Sequence, residues 1–532
     1  MEIMSLEKSH SLTQSLWRSE QIRLLERQAA MVAGISLFEL MDRAGLAVFE
    51  QARLNWPNAK EWWIFTGGGN NAGDGYIVAR LAWAAGIKVR VIQVGDAARL
   101  SGDAATARDA YLAQGGLISS LIAVEYQAPD LIIDALLGTG LTGVVRPEFV
   151  QAIEVINQSS APVLAIDVPS GLCADTGQIK TMAVQATLTV CMIGLKFGLA
   201  TGRGPDVVGR LVLADLGIKL NSASQQPVAS IMQWSSMRLF LPKRRVGAHK
   251  GEAGRVLVIG GNLGMSGAIR LAGEAALRCG AGLVRLLSHP AHQASLNVTR
   301  PELMTASFPD VNRDHINDSS FNDGDWASTL VLGPGLGRDN WSEALFNAAM
   351  QCNKPMVIDA DALWFLAKGF LGKGLAAKKP PLAAAFRSWI LTPHSGEAAR
   401  LLGCTVPEVE ADRLAAVLSL QQQYGGVVVL KGAGSLIADE RHVRLCHYGN
   451  NGMASGGMGD VLSGIIGALI AQGLTPFNAA SLGVCLHALA GDVAASQGKL
   501  GMLAADLFLP LRHLINQDDE YDDTDATTAP CG

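Results

Sequence analysis

Short, continuously apolar segments alternate with amphipathic stretches in two separate series along the chain. The short segments are mostly apolar, which predicts strands buried on both faces, whereas the amphipathic stretches have the periodicity of helices. In the first series we predict helices over Ser19–Ala33, Ser36–Gln51 and Tyr76–Ala85, and strands over Trp62–Thr66, Lys88–Val94, Leu131–Leu137 and Val163–Val168. Such alternation is typical of a parallel sheet covered by helices.

The second series begins at Arg255, after a Ser- and Gln-rich segment, Asn221–Pro242, that has no clear periodicity. Its apolar strands lead into glycine-containing loops, and two helices rich in small residues are predicted at Gly459–Gln472 and Pro476–Gln497. We therefore predict an α/β chain with one domain over residues 13–220, a linker over 221–242 and a second domain over 243–516. The acidic segment 517–532 is expected to be a disordered tail.

Composition narrows the functional classes. The 532 residues are 49% hydrophobic and 17% charged, which argues against general disorder, and the net charge of -5 gives no electrostatic footprint for nucleic acid or an anionic membrane. None of the 8 cysteines forms a CxxC pair, which indicates free thiols in a reducing compartment. The N-terminus lacks a signal-peptide pattern, and the longest apolar segment identified, Val461–Ala471, is too short to cross a bilayer. A cytoplasmic protein without nucleic-acid or membrane partners is expected.

The run NNGMASGGMGD, which leads into an apolar helix, carries the strongest chemical signal. Glycines 452, 456, 457 and 459 allow backbone N–H groups to converge, and a helix start adds the positive end of its dipole. Asp460, in the first helical turn, is placed to accept a proton from an attacking hydroxyl group. The sequence therefore predicts phosphate chemistry, with a simple dipole-stabilising carboxylate at Asp460 as the alternative.

Two more glycine loops follow strands in the same half of the chain. KGAGS at 431–435 puts Lys431 where a nucleotide would lie, and GPGLG at 333–337 permits close approach by a substrate. His394, in TPHSGE, is a candidate for substrate contact, although a loop histidine can also be an ordinary surface residue. Each loop taken singly can be a plain tight turn; together they favour a common site.

In the first half, GGGNNAGDG formally satisfies the dinucleotide-binding pattern. Asp74 argues against that interpretation, because it places a carboxylate at the helix start where a pyrophosphate would sit. Strand ends are more informative, since the carboxyl ends of parallel strands line one crevice. Residues with side-chain oxygens are expected to converge there and to hold a hard cation or transfer a proton; they are Asn70, Asn71, Asp74, Asp134, Asp167 and Ser170. The alternative is that they are helix caps and turn formers.

The second half resembles a known enzyme family. HKGEAGRVLVIGGN, SGAIRLAG, GPGLG, TPHSGEAARLLG, KGAGS and GNNGMASGGMGDVLSG occur in the order seen in the ADP/ATP-dependent dehydratases of hydrated NAD(P)H, which are ribokinase-like α/β proteins. The resemblance covers about Lys243 to Asn516. It implies that the hydrated dinucleotide contacts Ala268, Gly335, Gly337, His394 and Asp460. It further implies that the adenine nucleotide, with Mg²⁺, is held by Lys431, Gly432, Ala433, Gly434, Ser435 and Gly459.

The first half resembles the NAD(P)H-hydrate epimerase family, from about Leu16 to Lys219, through ELMDRAG, GNNAGDG, DALLGTGLTG and IDVPSG. The resemblance implies a Rossmann-like three-layer αβα domain with a potassium ion held by Asn71, Asp134 and Ser170. The implied contacts to the hydrate are Asn70, Asn71, Ala72, Gly73, Asp74, Gly138, Thr139, Gly140, Leu141, Thr142, Gly143, Val144 and Asp167. Ala72 stands where the family usually has glycine.

Together the two resemblances imply a metabolite-repair enzyme. The first domain would interconvert the R and S hydrates of NADH and NADPH, with Asp134 or Asp167 handling the proton. The second would dehydrate the S form at the expense of ADP or ATP, with Asp460 as the base. A homo-oligomer is expected. Two alternatives are a ribokinase-type small-molecule kinase with an accessory domain, and a first half that only binds. The choice between ADP and ATP stays open, although the fused type of enzyme that the chain resembles leans toward ADP. The choice between hydrated NADH and hydrated NADPH stays open as well.

Overall fold

The computed structural model describes residues 3–5, 15–121, 128–141, 143–218, 225–308, 323–371 and 388–516. The chain divides into two compact units, Met1–Ile231 and Met232–Gly532. The division falls inside the segment predicted as a linker, whose described part contains a short strand, Ala229–Ile231, and a short helix, Trp234–Met237. The predicted tail, 517–532, and Thr142 lie outside the described residues.

The first unit contains a parallel sheet and the helices that cover it. Its strands are β1 (Ile3–Ser5), β2 (Ser15–Trp17), β3 (Glu61–Thr66), β4 (Lys88–Gln93), β5 (Ile118–Ser120), β6 (Leu131–Ala135), β7 (Val163–Ile166), β8 (Leu188–Met192), β9 (Leu195–Lys196), β10 (Arg210–Ala214) and β11 (Ala229–Ile231). Its helices are α1 (Ser19–Ala33), α2 (Leu37–Asn55), α3 (Asn70–Ala84), α4 (Gly102–Ala113), α5 (Pro147–Gln158) and α6 (Gly204–Val207).

The eight-stranded sheet of this unit runs β1-β10-β8-β7-β6-β3-β4-β5, and its strand pairs are parallel. Successive residues of β3 alternate between two cores: Trp62 and Ile64 pack with α2 and α3, whereas Trp63 and Phe65 pack with α5. Two covered faces confirm the predicted three-layer αβα architecture. The chain moves outward from β3 in one direction and from β6 in the other, so the crevice between their carboxyl ends is a topological switch point, where ligands bind in such sheets.

The helix α3 begins earlier than its sequence predicted. We predicted a loop through Gly75 and a helix from Tyr76, but α3 starts at Asn70, so Asn70 to Asp74 form its first turns. The tight packing of α3 on the sheet explains the glycines: a Cβ at Gly75 would lie 2.6 Å from the Cβ of Ala135 in β6. A segment that looked like a flexible loop is therefore a helix whose small residues permit close contact.

The second unit is also α/β. Its strands are β12 (Arg255–Ile259), β13 (Leu283–Ser288), β14 (Met304–Ser307), β15 (Thr329–Leu332), β16 (Met356–Ile358), β17 (Trp389–Leu391), β18 (Val427–Leu430), β19 (Ser435–Ala438) and β20 (Val443–Cys446). Its helices are α7 (Trp234–Met237), α8 (Ser266–Arg278), α9 (Asp323–Trp326), α10 (Asn340–Met350), α11 (Ala360–Leu371), α12 (Ser395–Leu402), α13 (Val406–Ala411), α14 (Arg413–Tyr424), α15 (Met458–Ala471), α16 (Pro476–Ala495) and α17 (Phe508–Leu514).

The strands of the second unit run β14-β13-β12-β15-β16-β17-β18-β19-β20. The pairs from β14 to β18 are parallel, and β19 and β20 add an antiparallel extension. The switch point lies between β12 and β15. The loops that follow these strands are joined by backbone hydrogen bonds from Gly261 N to Pro334 O (3.0 Å) and from Asn262 N to Gly335 O (2.8 Å).

Helices α8 and α15 pack against each other at backbone distance, because a Cβ at Gly464 would overlap the carbonyl oxygen of Ala272. The same core includes α16, which is long and apolar enough to cross a membrane, although 61% of its most apolar window is buried inside the protein. The prediction that Val461–Ala471 is the longest apolar segment is wrong, because α16 is longer and apolar enough to meet the same test. Burial of this kind is what a core helix of a folded domain shows.

Candidate active sites

In the first unit, an oxygen-rich cluster lies where β6 and β7 end. Asp134 is fully buried in β6; its Oδ2 accepts a hydrogen bond from the backbone N of Ser170 (2.8 Å), and its Oδ1 accepts one from Ser170 Oγ (2.6 Å). Asn71 Nδ2 donates to the carbonyl oxygen of Leu137 (3.3 Å), which the Ser170 hydroxyl also approaches (3.1 Å). Burial raises the pKa of Asp134 to about 6, against the opposing effect of the bonds from Ser170.

These atoms suit a hard monovalent cation better than they suit proton transfer. Asp134 and Ser170, together with the carbonyl of Leu137, bring several oxygens into one place, as such a cation requires, and the Asn71 amide lies beside them through its Nδ2. Asp134 has no exposed surface and both of its oxygens are occupied, so a substrate has no direct access to it. The donor set therefore fits the potassium ion implied by resemblance.

Asp167 belongs to a second cluster, one that the sequence analysis did not foresee in full. It adopts a left-handed backbone conformation (φ 64°), which is uncommon for a residue other than glycine, and its Oδ1 accepts hydrogen bonds from Met192 N (3.0 Å) and from the Lys196 ammonium. Lys196 is buried and also donates to the carbonyl oxygen of Met192 (2.9 Å). Burial, the largest single effect, lowers the pKa of Lys196, but the charges of Asp167, Cys191 and Glu26 and the hydrogen bond to Asp167 together outweigh it and raise that pKa.

Two further carboxyl groups act on this ion pair. Burial, followed by the charges of Asp167 and Glu26, raises the pKa of Asp74 well above its usual value, while Lys196 opposes the rise. Burial also raises the pKa of Glu26, on α1, again against Lys196. The cluster thus places one buried ammonium among three carboxyl groups. A group held protonated beside one held ionised is a common arrangement for proton transfer.

The other residues implied to contact the hydrate in this unit differ in accessibility. Ala72 is fully buried, and a Cβ at Gly73 would lie 2.6 Å from the Met41 sulfur, so both positions face the core and offer a ligand only backbone atoms. Leu141 packs against the core cluster beside α5, whereas Val144 is 69% exposed. The remaining described members of this set lie along the crevice-forming segments after β3 and β6: Asn70, Gly138, Thr139, Gly140 and Gly143.

In the second unit, a buried ion pair marks the carboxyl ends of β16 and β18. Lys431 Nζ donates to Asp359 Oδ1 (2.8 Å), and the hydroxyl of Ser463 in α15 donates to Asp359 Oδ2 (2.6 Å). Burial, the largest single effect, raises the pKa of Asp359, but the Lys431 charge together with hydrogen bonds from Lys431, Ser463 and Thr392 outweighs it and lowers that pKa. This pair holds the ammonium of Lys431, a nucleotide-binding candidate, next to the start of α15.

The start of α15 brings Gly459 and Asp460 to that ammonium. Gly457, at the helix cap, has a φ of 91°, which favours glycine, and a Cβ at Gly459 would lie 3.4 Å from Lys431 Nζ. Burial raises the pKa of Asp460 to about 7, the charge of Asp359 adds to the rise, and Lys431 opposes it. A carboxylate with such a pKa, at a helix start beside a fixed ammonium, is suited to act as a general base near neutral pH.

His394 reaches the same place from the end of β17, although its imidazole also caps α12. Its Nδ1 accepts hydrogen bonds from Gly396 N (2.9 Å) and Glu397 N (3.4 Å), and Glu397 Oε2 accepts one from His394 N (2.8 Å). This is a capping box with histidine in the place usually taken by serine or threonine. Glu397 Oε2 lies 3.7 Å from Lys431 Nζ, and burial, with the Lys431 charge, lowers the pKa of His394. Because Nδ1 accepts, the neutral imidazole carries its proton on Nε2.

The GPGLG loop borders the site from the switch point. A Cβ at Gly335 would lie 3.1 Å from the Cβ of Ala268, in the first turn of α8, so these two substrate-contact candidates are neighbours. Gly337 N donates to Asp361 Oδ2 (3.0 Å), and the Asp361 charge contributes to the raised pKa of Asp460. Asp361 therefore connects the GPGLG loop with the surroundings of Asp460.

KGAGS directly follows a strand, β18, as predicted. It forms the turn of the hairpin between β18 and β19. Ser435 Oγ donates to the carbonyl oxygen of Gly432 (3.0 Å), and Arg413, which is buried, donates to the carbonyl oxygen of Lys431 (3.2 Å) from below. Gly432 and Ala433 of this turn are exposed, whereas Gly434 is buried. The turn therefore offers a nucleotide the backbone of its first half.

Sequence reasoning missed Lys196, Asp359 and Glu397. Asp359 had a usable signal, because VID at the end of β16 repeats the pattern of LIID and LAID, where a carboxylate ends an apolar strand. Glu397 had one too, since it lies three residues after His394 in the spacing of a capping box. Lys196 lies in a two-residue strand and had no comparable signal.

The chain matches two family models in succession. Residues 37–198 match a model described as YjeF-related protein N-terminus, and residues 256–512 match one described as NAD(P)H-hydrate dehydratase. A solved structure of an ADP/ATP-dependent NAD(P)H-hydrate dehydratase from Bacillus subtilis is 26% identical, covers 53% of this chain and 96% of its own, and has a TM-score of 0.44.

Full-length relatives match both halves at once. A bifunctional NAD(P)H-hydrate repair enzyme Nnr from Escherichia coli (strain K12) is 44% identical over 98% of either chain. One of the same name from Vibrio cholerae is 45% identical over 94% of this chain and 98% of its own. The similarity is continuous through both units and includes the segments that form both sites. By this identity along its length, the chain belongs to the family of bifunctional NAD(P)H-hydrate repair enzymes.

Proposed function

We propose that this chain repairs hydrated NADH and NADPH, with the first unit interconverting the R and S hydrates and the second dehydrating the S hydrate. The observation that supports the dehydratase best is the placement of Asp460 beside Lys431 at a glycine-rich helix start. Full-length similarity to relatives named for hydrate repair supports the pairing of the two activities.

In the dehydratase, Asp460 takes the proton of the ring hydroxyl, and the hydroxyl oxygen attacks the terminal phosphorus of ADP or ATP. AMP or ADP leaves, and the hydroxyl becomes a phosphate ester. Phosphate is a better leaving group than hydroxide, so loss of phosphate and of a neighbouring ring proton restores the double bond of the reduced nicotinamide. Lys431 and the backbone N–H groups around Gly459 offset the negative charge that develops during transfer. We favour ADP, which the fused type of enzyme suggested at the sequence level.

Substrate contacts in this proposal are Ala268, Gly335, Gly337 and His394, whose neutral imidazole offers its Nε2 proton to the hydrate. The nucleotide lies along Lys431, Gly432, Ala433, Gly434, Ser435 and Gly459. Asp359, Asp361 and Glu397 leave this region with more carboxylates than ammonium groups. A Mg²⁺ ion bound with the nucleotide would fit that charge balance; these carboxylates would hold it, and it would neutralise negative charge on the phosphates.

In the epimerase, we propose Asp167, not Asp134, as the group that handles the proton. Asp167 retains 16% exposure in its side chain and is held by Lys196, whereas Asp134 has no exposed surface. A proton passed through Asp167 to the ring hydroxyl lets it leave as water while the ring nitrogen forms an iminium. Water then adds to the opposite face of the ring and returns a proton to Asp167. Asp134, Asn71 and Ser170 would hold potassium, which supplies a fixed positive charge near the substrate.

Cellular setting and assembly are part of the proposal. The free thiols among the described cysteines suit the cytoplasm. Exposed apolar side chains on α1, Met31 at 78% and Val32 at 89%, suit an interface between copies of the chain, so we propose a homo-oligomer. Light scattering on purified protein tests the latter: a monomeric mass at working concentration would refute it.

The deciding experiment incubates purified protein with mixed R and S hydrates of NADPH and either ADP or ATP. Recovery of reduced-nicotinamide absorbance from both epimers is expected, together with free phosphate. Recovery from the S form alone would refute the epimerase, and no recovery with either nucleotide would refute the dehydratase. A stable phosphorylated product without restored absorbance would instead favour a kinase of the ribokinase type.

A further inference from the structure

A cluster of basic and aromatic side chains borders the second site and has no role in the chemistry above. Arg338 directly follows the GPGLG loop and contacts Asp361 and Trp364 of α11, and Lys368 of the same helix lies over the Trp364 ring. The α11 residues are three and four positions apart, so the helix presents them along one face. We call these four residues the cationic shelf.

The shelf carries more positive than negative charge. Arg338 Nε donates to Asp361 Oδ1 (2.8 Å), and the Arg338 guanidinium carbon lies 5.5 Å from the centre of the Trp364 ring. Lys368 Nζ lies 5.1 Å from the same ring centre. Two cations therefore share one indole, and the carboxylate of Asp361 is bonded to the Nε of one of them, Arg338.

Both cations are accessible and incompletely paired. The Arg338 side chain is 51% exposed, and Lys368 is exposed. Within the described residues no hydrogen-bond acceptor is found for the terminal nitrogens of Arg338 or for Lys368 Nζ. A guanidinium that rests on an aromatic ring and is oriented through Nε presents its remaining N–H groups as a fork, the geometry that binds phosphate oxygens.

The shelf is connected to the reaction centre on the substrate side. Asp361 accepts from Arg338 through Oδ1 and from Gly337 N through Oδ2 (3.0 Å), so one carboxylate links the shelf to the loop proposed to touch the hydrate. The proposed nucleotide loop, Lys431 to Ser435, follows a different strand, β18. An anion that rests on the shelf therefore belongs to the molecule that passes the GPGLG loop.

We propose that Arg338 and Lys368 bind a phosphate group of the hydrated dinucleotide and thereby determine its affinity for the dehydratase. The inference rests on the proposed function, because it takes the nicotinamide end of the substrate to lie at Asp460. Two phosphates qualify by the same chemistry: the pyrophosphate that hydrated NADH and hydrated NADPH share, and the 2′-phosphate that only hydrated NADPH carries.

The test uses the full chain with Arg338→Gln and Lys368→Gln, and measures KM for hydrated NADPH, hydrated NADH and ADP. Each variant is expected to raise the KM of a hydrate about tenfold, the size of effect that loss of a charge-assisted hydrogen bond produces. An increase for both hydrates assigns the shelf to the pyrophosphate, and an increase for hydrated NADPH alone assigns it to the 2′-phosphate. Unchanged KM values for both hydrates, or an increase confined to ADP, would overturn the proposal.

Controls separate this outcome from other effects. Lys368→Gln leaves the Arg338–Asp361 pair intact, so its effect is not an indirect one on the reaction centre, and its kcat is expected within about twofold of wild type. Arg338→Lys keeps the charge but removes the fork, and is expected to restore part of the affinity. Arg441→Gln, on the exposed turn between β19 and β20, makes the same charge change at the opposite edge of the sheet. If the wild-type protein restored no reduced-nicotinamide absorbance, that result would contradict the proposed function and would not bear on the cationic shelf.

Discussion

Asp460→Asn is expected to abolish dehydration while making the protein more stable at alkaline pH. The substitution keeps the size of the side chain and removes its charge. Loss of a general base lowers kcat by about a hundred- to ten-thousandfold. The gain in stability has a separate cause, because burial and neighbouring carboxylates raise the pKa of Asp460 to about 7 from an ordinary value of 3.8.

The raised pKa fixes the sign and the size of the stability effect. Between the two pKa values the folded state binds a proton that the unfolded state does not, so its stability falls as pH rises and the full loss is reached above about pH 7. One pKa unit corresponds to about 1.4 kcal/mol, so from about pH 5.5 to about pH 8.5 wild type loses about 2 kcal/mol that the variant keeps. For a domain of this size that is about 4–8 °C in Tm.

The assay is thermal unfolding of both proteins, without nucleotide, at several pH values across that window. The difference in Tm between variant and wild type should be small at the acidic end and should grow toward the alkaline end. Glu440→Gln serves as the control, since Glu440 is an exposed carboxylate on the turn between β19 and β20. Its difference from wild type should not change with pH. A constant difference for Asp460→Asn, or one that shrinks as pH rises, would refute the reasoning.

Four further substitutions test the two sites. Asp167→Asn and Lys196→Met should each stop recovery of the R hydrate while S-hydrate dehydration continues; equal loss of both activities would contradict separate sites. Gly459→Ala places a methyl group 3.4 Å from the Lys431 ammonium and should raise the KM for ADP about tenfold, whereas an unchanged KM would place the nucleotide elsewhere. Asp359→Asn leaves the ammonium of Lys431 without its nearest carboxylate and should cost about 3 kcal/mol in denaturant unfolding. A cost below about 0.5 kcal/mol would show that the pair is not buried in solution.

The sequence predicted elements best where periodicity alone determines them. Helix α1 has the predicted bounds, Ser19–Ala33, because its apolar positions recur on one face and Gly34 ends it. Element boundaries were predicted worst where tertiary packing, and not local sequence preference, determines them. The start of α3 at Asn70 was hidden because glycines there are selected for contact with the sheet and not for flexibility.

The sites divide in a similar way. Asp460 and Lys431 were found because glycine loops flank them, and the structure brings them to one another. Asp134 and Asp167 were expected to converge, but the structure gives them different partners, Ser170 for the former and Lys196 for the latter. A strand-end pattern identifies the edge of a sheet that a residue occupies. It does not identify which side chain from a distant segment will meet it, because that depends on tertiary packing.

The contact at Gly464 has a consequence for motion. Because α15 and α8 meet there without a side chain between them, neither helix has room to shift past the other, and their first turns carry Asp460 and Ala268. The two helices should open as one cooperative unit, so amide protons of α8 and α15 should exchange with solvent at matched rates. Nucleotide bound at the start of α15 would then slow amide exchange in α8 as well. Occupancy of one part of the site would in this way stabilise the helix that carries the other part.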